Sequence, residues 1–152
     1  MTGGGRYERE IVNTFHGAGW GAMRAPASGS ATGYDVADVI FGRPVEVHGM
    51  GVGDGTYSDI GFIETKKRSV PRAYYDVSEV YALQRVAEEW GGTAYLGARF
   101  TRSVDGNAKR TYLVEVADAE QVSEERYRVH ADDAFTRASL VVDASAGEVN
   151  TI

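Results

Sequence analysis

Apolar residues return at helical spacing through Tyr7, Ile11, Phe15 and Ala18, with Val12 widening the stripe, and predict a first helix over residues 7–18. Glu8 and Glu10 fall in its expected first turn, where carboxylates suit the helix dipole, and Gly17 and Gly19 close it. Residues 20–25 read as a short strand stopped by Pro26, and the small, polar run 27–33 as a flexible loop. A second strand is expected over 36–41. The Gly-rich stretch 42–58 reads as a long loop or a hairpin excursion around Val45-Glu46-Val47-His48. A third strand spans 60–66, and 67–75 is a basic, aromatic connector. Asp76 or Ser78 can cap a helix running to about Trp90, with Val77, Val80, Tyr81, Gln84 and Ala87 on one face and Leu83, Val86 and Trp90 alongside. Gly91-Gly92 ends it. Residues 93–100 and 111–116 predict two strands joined across the turn signal Asp105-Gly106-Asn107. From Ala117 the chain is acidic and ends near Leu140-Val141-Val142, which suggests a short strand, a short helix and a mobile terminus. The order α-β-β-β-α-β-β plus a tail is that of an α/β domain, a mixed sheet flanked by helices. Residues 1–116 are expected to form the core, and 117–152 an acidic, partly mobile extension of the same domain.

The chain of 152 residues has the size of one domain, and 43% hydrophobic residues are enough to bury a core. The absence of Cys excludes disulfides, a thiolate zinc site and a Cys nucleophile. No apolar run is long enough to span a membrane, and residues 1–9 lack a signal-peptide core, so a soluble, intracellular protein is expected. The net charge of −6 speaks against nucleic acid when taken whole, but its distribution alters that conclusion. Residues 1–110 carry 13 basic and 13 acidic residues, whereas 111–152 carry 3 and 9. The first part is therefore free to present a basic face. Arg dominates the basic residues, 13 against 3 Lys, and suits bidentate phosphate contacts, although a high-salt proteome or a GC-rich genome gives the same composition.

Few polar residues sit where polarity is costly. Asp38 lies in the predicted strand 36–41, and Glu64 and Lys66 end the strand 60–66. Alternation sends Glu64 and Lys66 to one face and Thr65 to the other, leaving the Thr65 carbonyl able to turn toward the site. An Asp and a Glu buried together repel, and a hard divalent cation with oxygen ligands relieves that repulsion. A neighbouring Lys then meets charge on a phosphate or holds an attacking water. Asp38, then 25 residues, then Glu64-x-Lys66 fits the D…(D/E)-x-K pattern of metal-dependent nucleases, and an ordinary ion pair at a strand end would read the same way. Asp35 competes for the first ligand position, but the apolar strand continues directly from Asp38.

Longer motifs narrow the choice. Gly5-Arg6-Tyr7-Glu8-Arg9-Glu10-Ile11-Val12 with Gly19-Trp20, the run from Met23 to Thr32, and Asp38-Val39-Ile40 stand in that order. Ile63-Glu64-Thr65-Lys66, Ala82-Leu83-Gln84, Ala87-Glu88-Glu89-Trp90-Gly91-Gly92 and Tyr95-Leu96-Gly97-Ala98-Arg99-Phe100 follow. This combination resembles the archaeal Holliday junction resolvases of the Hjc type, from about residue 5 to about residue 116. The resemblance implies a restriction-endonuclease-like α/β fold and a homodimer acting on four-way junction DNA. It implies that Glu8 is the helix carboxylate of the active site, Asp38 and Glu64 the metal ligands and Lys66 the catalytic lysine. It further implies that Ser28 comes close to the scissile phosphate and that Arg9 and Arg24 hold DNA phosphates. The chain departs from the family in having Ala37 where Pro is usual, and a longer interval, filled by 42–58, between Asp38 and Glu64. Lys67 and Arg68 extend the strand end with positive charge, and the stretch they belong to suits DNA contact or a solvated connector equally.

The expected function is a Mg²⁺-dependent (or Mn²⁺-dependent), structure-selective endonuclease making paired nicks in four-way DNA junctions in the cytoplasm. Asp38, Glu64, the Thr65 carbonyl and Glu8 are the expected metal shell, and neither an organic cofactor nor a membrane is involved. A same-fold nuclease of flaps, nicks or duplex, and a non-catalytic DNA-binding module, are the alternatives. His16, His48 and His130 lie far apart and read as surface or loop residues. Gly3-Gly4-Gly5 reads as a flexible arm. The apolar face of the second helix, or the strands after it, is the expected dimer surface.

Overall fold

The computed structural model describes residues 2–25, 37–49, 53–102 and 108–152, with the backbone alone for 2–4, 44–49 and 53–58. A helix, α1 (Thr2–Gly17), opens the chain and buries Tyr7, Ile11 and Phe15 against a sheet. Each such side chain removed from water is worth about 2 kcal/mol. The helix starts earlier than the periodicity predicts. It takes in Gly3, Gly4 and Gly5, so these are not an arm, and Glu8 and Glu10 lie beyond the first turn. A Cβ on Gly5 would sit 3.4 Å from Arg24 Nη2, so the bare turn lets the helix pass close to that side chain.

Strand β1 (Gly21–Arg24) pairs antiparallel with β2 (Val39–Gly49), setting Arg24 opposite Val39. Strand β2 pairs in turn with β3 (Gly53–Arg68), from Val39 opposite Ile63 to Gly49 opposite Gly53. Most of the stretch 42–58 is therefore the two arms of a long hairpin. Asp38 lies one position ahead of β2, at a bend, and not inside the strand as expected. The ladder nevertheless reaches it, because its N–H donates to the Ile63 carbonyl at 2.7 Å. The connector 67–75 contains a strand, β4 (Arg72–Asp76), whose Ala73 and Tyr75 are buried while their neighbours are not. Five residues are too few for that alternation to stand out in a sequence.

Helix α2 (Val77–Trp90) buries Val80, Leu83, Val86 and Ala87 and leaves Tyr81 and Trp90 exposed. It ends at Gly91, whose φ of 72° is a left-handed conformation that glycine adopts without penalty. Strand β5 (Thr93–Phe100) runs parallel to β3, and β6 (Arg110–Glu115) antiparallel to β5. The expected turn at 105–107 lies outside the described residues. The acidic segment then forms a 3₁₀ turn (Val116–Asp118), β7 (Glu120–Gln121), β8 (Arg126–His130), α3 (Ala134–Arg137), β9 (Leu140–Asp143) and β10 (Glu148–Thr151).

The main sheet has the order β1-β2-β3-β5-β6-β9-β10, and a small sheet the order β4-β8-β7. One face of the main sheet packs on α1 through Val39, Phe41, Ile63, Tyr95, Leu113, Leu140 and Val142. The other packs on α2 and the small sheet through Phe62, Leu96, Ala98, Tyr112, Val114 and Val141. Along β3 the faces alternate, Phe62 toward α2 and Ile63 toward α1. No helix among the described residues is long and apolar enough to cross a membrane.

Candidate active site

The alternation of β3 continues past its apolar stretch and sorts the polar residues at its end. Thr65 turns toward α1, where its Oγ1 lies 2.7 Å from the Tyr7 hydroxyl. Lys66 turns toward α2, with Nζ 3.7 Å from Glu79 Oε2 and 5.8 Å from the centre of the Tyr75 ring. Glu64 shares that side; burial above all, then the neighbouring Tyr7 and the charge of Glu64, hold the Tyr75 hydroxyl protonated. The β2–β3 pairing closes with Val39 opposite Ile63, one residue short of both Asp38 and Glu64. Two hydrogen bonds fix Asp38 to β3. Its N–H donates to the Ile63 carbonyl, and its Oδ2 accepts from the Thr65 N–H at 2.9 Å.

Burial pushes the Asp38 carboxyl up to about 6, against the pull of the Thr65 N–H; the charge of Glu8 raises it, Lys66 lowers it, and Glu79 raises it further. A carboxylate so placed lacks positive charge. Asp38 carries carboxylate oxygens, and the β3 residues that its two hydrogen bonds bracket add the Glu64 carboxylate and the backbone oxygen of Thr65. They are hard donors of the kind Mg²⁺ takes, and that ion keeps several waters of its own. The donor set therefore fits a hard divalent cation. Among the described residues no three His, Asp or Glu side chains form a group that could hold a metal ion, while Glu8 stands near enough for its charge to raise the Asp38 carboxyl. Glu8 Oε1 accepts from Arg24 Nε at 3.1 Å, on the α1 side of the sheet.

The remaining sequence candidates are spread around this centre. Arg24 is exposed and held by Glu8. Lys67 and Arg68 are exposed on the last residues of β3, Lys67 with Nζ 6.0 Å from the centre of the Tyr7 ring. Arg9 is exposed on α1 and lines, with Arg6 and Asn13, a groove of about 470 Å³ that reaches Ala144 and Gly147. Ser28 and the competing Asp35 lie outside the described residues. His16 is exposed, with Nε2 2.8 Å from the Ala22 carbonyl, and His130 pairs at 3.6 Å with Asp132. Neither stands in a metal-binding group.

Sequence reasoning missed Glu79, Tyr75 and Tyr7. A carboxylate in the first turn of a helix reads as a partner of the helix dipole, and only the tertiary fold brings Glu79 to Lys66. Tyr75 closes the floor under Lys66 and donates a hydrogen bond to the Gly97 carbonyl on β5. Gly97 is a close approach. A Cβ there would stand 2.9 Å from Thr65 Oγ1 and 3.0 Å from Ile63 Cγ2.

The family model described as archaeal Holliday junction resolvase (Hjc) matches residues 2–141. Among solved structures, the 1.6 Å structure of Archaeoglobus fulgidus Hjc, a Holliday junction resolvase from an archaeal hyperthermophile, is similar. It is 21% identical, with 88% of each chain covered and a TM-score of 0.62. The shared fold is restriction-endonuclease-like, a mixed central sheet with helices. No curated protein is significantly similar to the chain.

Proposed function

The chain belongs to the archaeal Holliday junction resolvase family, the crossover junction endodeoxyribonucleases, and from that premise we propose that the end of β3 is where it cuts. Asp38, Glu64 and Lys66 are the catalytic residues in this reading. The observation that carries it is the double pinning of Asp38 to β3 on either side of Glu64, with Lys66 two residues on. Asp38, Glu64 and the Thr65 carbonyl would hold one Mg²⁺, or Mn²⁺ in its place, with Glu8 at the rim beside Arg24. That ion supplies charge neutralisation for two carboxylates and a scissile phosphate, and eases the ionisation of water.

The chain's own groups do the rest. Lys66, resting over Tyr75 and restrained by Glu79, positions the attacking water or meets the charge that builds on the phosphate oxygens. Water oxygen bonds to phosphorus, and the bond to the 3′ oxygen breaks. The products are a 3′-hydroxyl and a 5′-phosphate. Arg24, Lys67, Arg68 and Arg9 contact backbone phosphates, and Ser28 approaches the scissile one. Recognition rests on backbone shape and charge. A homodimer presents two such centres and makes two symmetric nicks. The reaction calls for no organic cofactor, and its DNA substrate puts the work in the cytoplasm.

A synthetic four-way junction and a linear duplex, each with Mg²⁺ and with chelator, test this reading. Cutting of the junction alone, dependent on the metal, supports it. Cutting of duplex points to a same-fold nuclease of broader substrate, and binding without cutting to a DNA-binding module. Asp38→Asn and Lys66→Ala should each abolish cutting and leave junction binding intact; near wild-type cutting by either discards the site.

A further inference from the structure

Thr65 ties the proposed centre to the other face of the sheet. Its N–H holds Asp38 Oδ2 at 2.9 Å, and its chain neighbours are Glu64 and Lys66. Its side chain points to the opposite face of the sheet, where the Tyr7 hydroxyl stands 2.7 Å from Oγ1. The same hydroxyl lies 3.1 Å from Thr111 Oγ1 on β6, two strands away, so it spans β3 and β6 across β5. Gly97 on β5, lacking a side chain, gives Thr65 the room to do this.

Tyr7 is itself held. Its ring is buried, and the Arg99 guanidinium lies 4.8 Å from the ring centre. Arg99 pairs in turn with Glu10, on the same helix, and donates to the Lys109 carbonyl at 3.2 Å. Packing alone requires no hydroxyl at this position. Ile11 and Phe15 anchor the same face of α1 without one. The next residue on the helix is Glu8, which holds Arg24.

We propose that the Tyr7 hydroxyl is a positioning group for cutting, tying α1 to Thr65 and so fixing the angle at which β3 presents Glu64 and Lys66 beside Asp38. The inference rests on the cutting centre assigned above and adds to it a residue on the far side of the sheet. Small displacements of reacting groups cost about a hundredfold in rate, so the loss of one anchoring hydroxyl is measurable.

Three variants of the full chain separate positioning from stability. Tyr7→Phe removes the hydroxyl and keeps the ring. Thr65→Val removes the partner at the cutting centre, and Thr111→Val the partner on β6. Each is measured for kcat and KM in multiple-turnover cutting of a synthetic four-way junction, for Mn²⁺ binding by calorimetry and for thermal midpoint. Tyr7→Phe and Thr65→Val should lower kcat by about ten- to a hundredfold, leave KM unchanged and weaken Mn²⁺ binding. Thr111→Val should stay within about twofold of wild type in kcat and Mn²⁺ binding, although, like Thr65→Val, it leaves the Tyr7 hydroxyl short of one partner. An equal loss in all three variants, tracking the thermal midpoint, would reduce Tyr7 to a stability element and overturn the inference. Undiminished kcat in Tyr7→Phe overturns it as well. Cutting by Asp38→Asn would instead sink the assignment of the centre, and the inference with it.

Discussion

Asp38 carries the clearest thermodynamic signature of a site built for something other than stability. Its carboxyl is pushed up to about 6, from an ordinary 3.8, chiefly by burial. Below about pH 4 folded and unfolded chains both hold the proton, and the residue costs nothing. As pH rises through the interval up to about 6, the unfolded chain has released its proton while the folded one retains it, so stability falls. Above that range the charged, buried carboxylate imposes its full penalty, of the order of 1–3 kcal/mol. Asp38→Asn keeps an oxygen for the Thr65 N–H and removes the charge. Without metal it should raise the thermal midpoint at about pH 7.5 and change it little at about pH 4. Saturating Mg²⁺ should raise the midpoint of the wild type and not of the variant, because a ligand that binds only the folded state stabilises it. Thermal unfolding in chelator and in Mg²⁺ checks both, and equal midpoints for the two proteins at neutral pH would contradict the assigned cause.

At the scale of elements, the site is the meeting of a hairpin end with two helices from opposite faces. The strand 60–66 and the helix to Trp90 were legible because period-two and helical patterns both run long enough to stand out. The alternation that separates Thr65 from Glu64 and Lys66 was legible for the same reason. The early start of α1, the arms of the hairpin and β4 were not, because glycine-rich and very short segments carry little pattern and are fixed by their partners. The contacts of Tyr7 with Thr65 and Thr111, 58 and 104 residues away, have no local signal at all. The parallel pairing of β3 with β5 sets Thr65 beside Gly97. Gly97→Ala forces a methyl against Thr65 and Ile63, and should cost about 1–3 kcal/mol and depress cutting beyond what the lost stability explains. Gly91→Ala meets no atom within 4 Å but strains a positive φ. It should cost about 1 kcal/mol and leave cutting of the folded protein unchanged. Denaturant titrations and junction cutting on the two variants distinguish a close approach at the site from a helix cap far from it.

Across the whole molecule, charge and topology divide the chain. The acidic segment offsets a small part of its own charge, with Arg128 on Glu120 at 2.6 Å and Arg137 on Asp133 at 2.8 Å. Arg110 pairs with Asp143 at 3.1 Å, where burial pushes that carboxyl up but Ser145, the Ala146 N–H and Arg110 hold it below its ordinary value. The composition showed where the acidic residues lie; it did not show that Leu140, Val141 and Val142 enter the main sheet between β6 and β10. Each buried aliphatic residue is worth about 2 kcal/mol, and the total stability of a domain is about 5–15 kcal/mol. A chain ending at residue 138 should therefore lose cooperative unfolding and its near-ultraviolet circular dichroism. A sharp, native-like transition would mark the last strands as dispensable.

The central claim is that Asp38, just ahead of β2, and Glu64 on β3 share one divalent ion with the Thr65 carbonyl, beside Lys66. A crystal structure of the protein with Mn²⁺, read by anomalous scattering, tests it most directly. The account predicts a peak bonded to Asp38 and Glu64 oxygens at about 2.0–2.2 Å, with the Thr65 carbonyl in the same shell. Asp38 and Glu64 side chains turned apart, or a peak elsewhere on the protein, would contradict it.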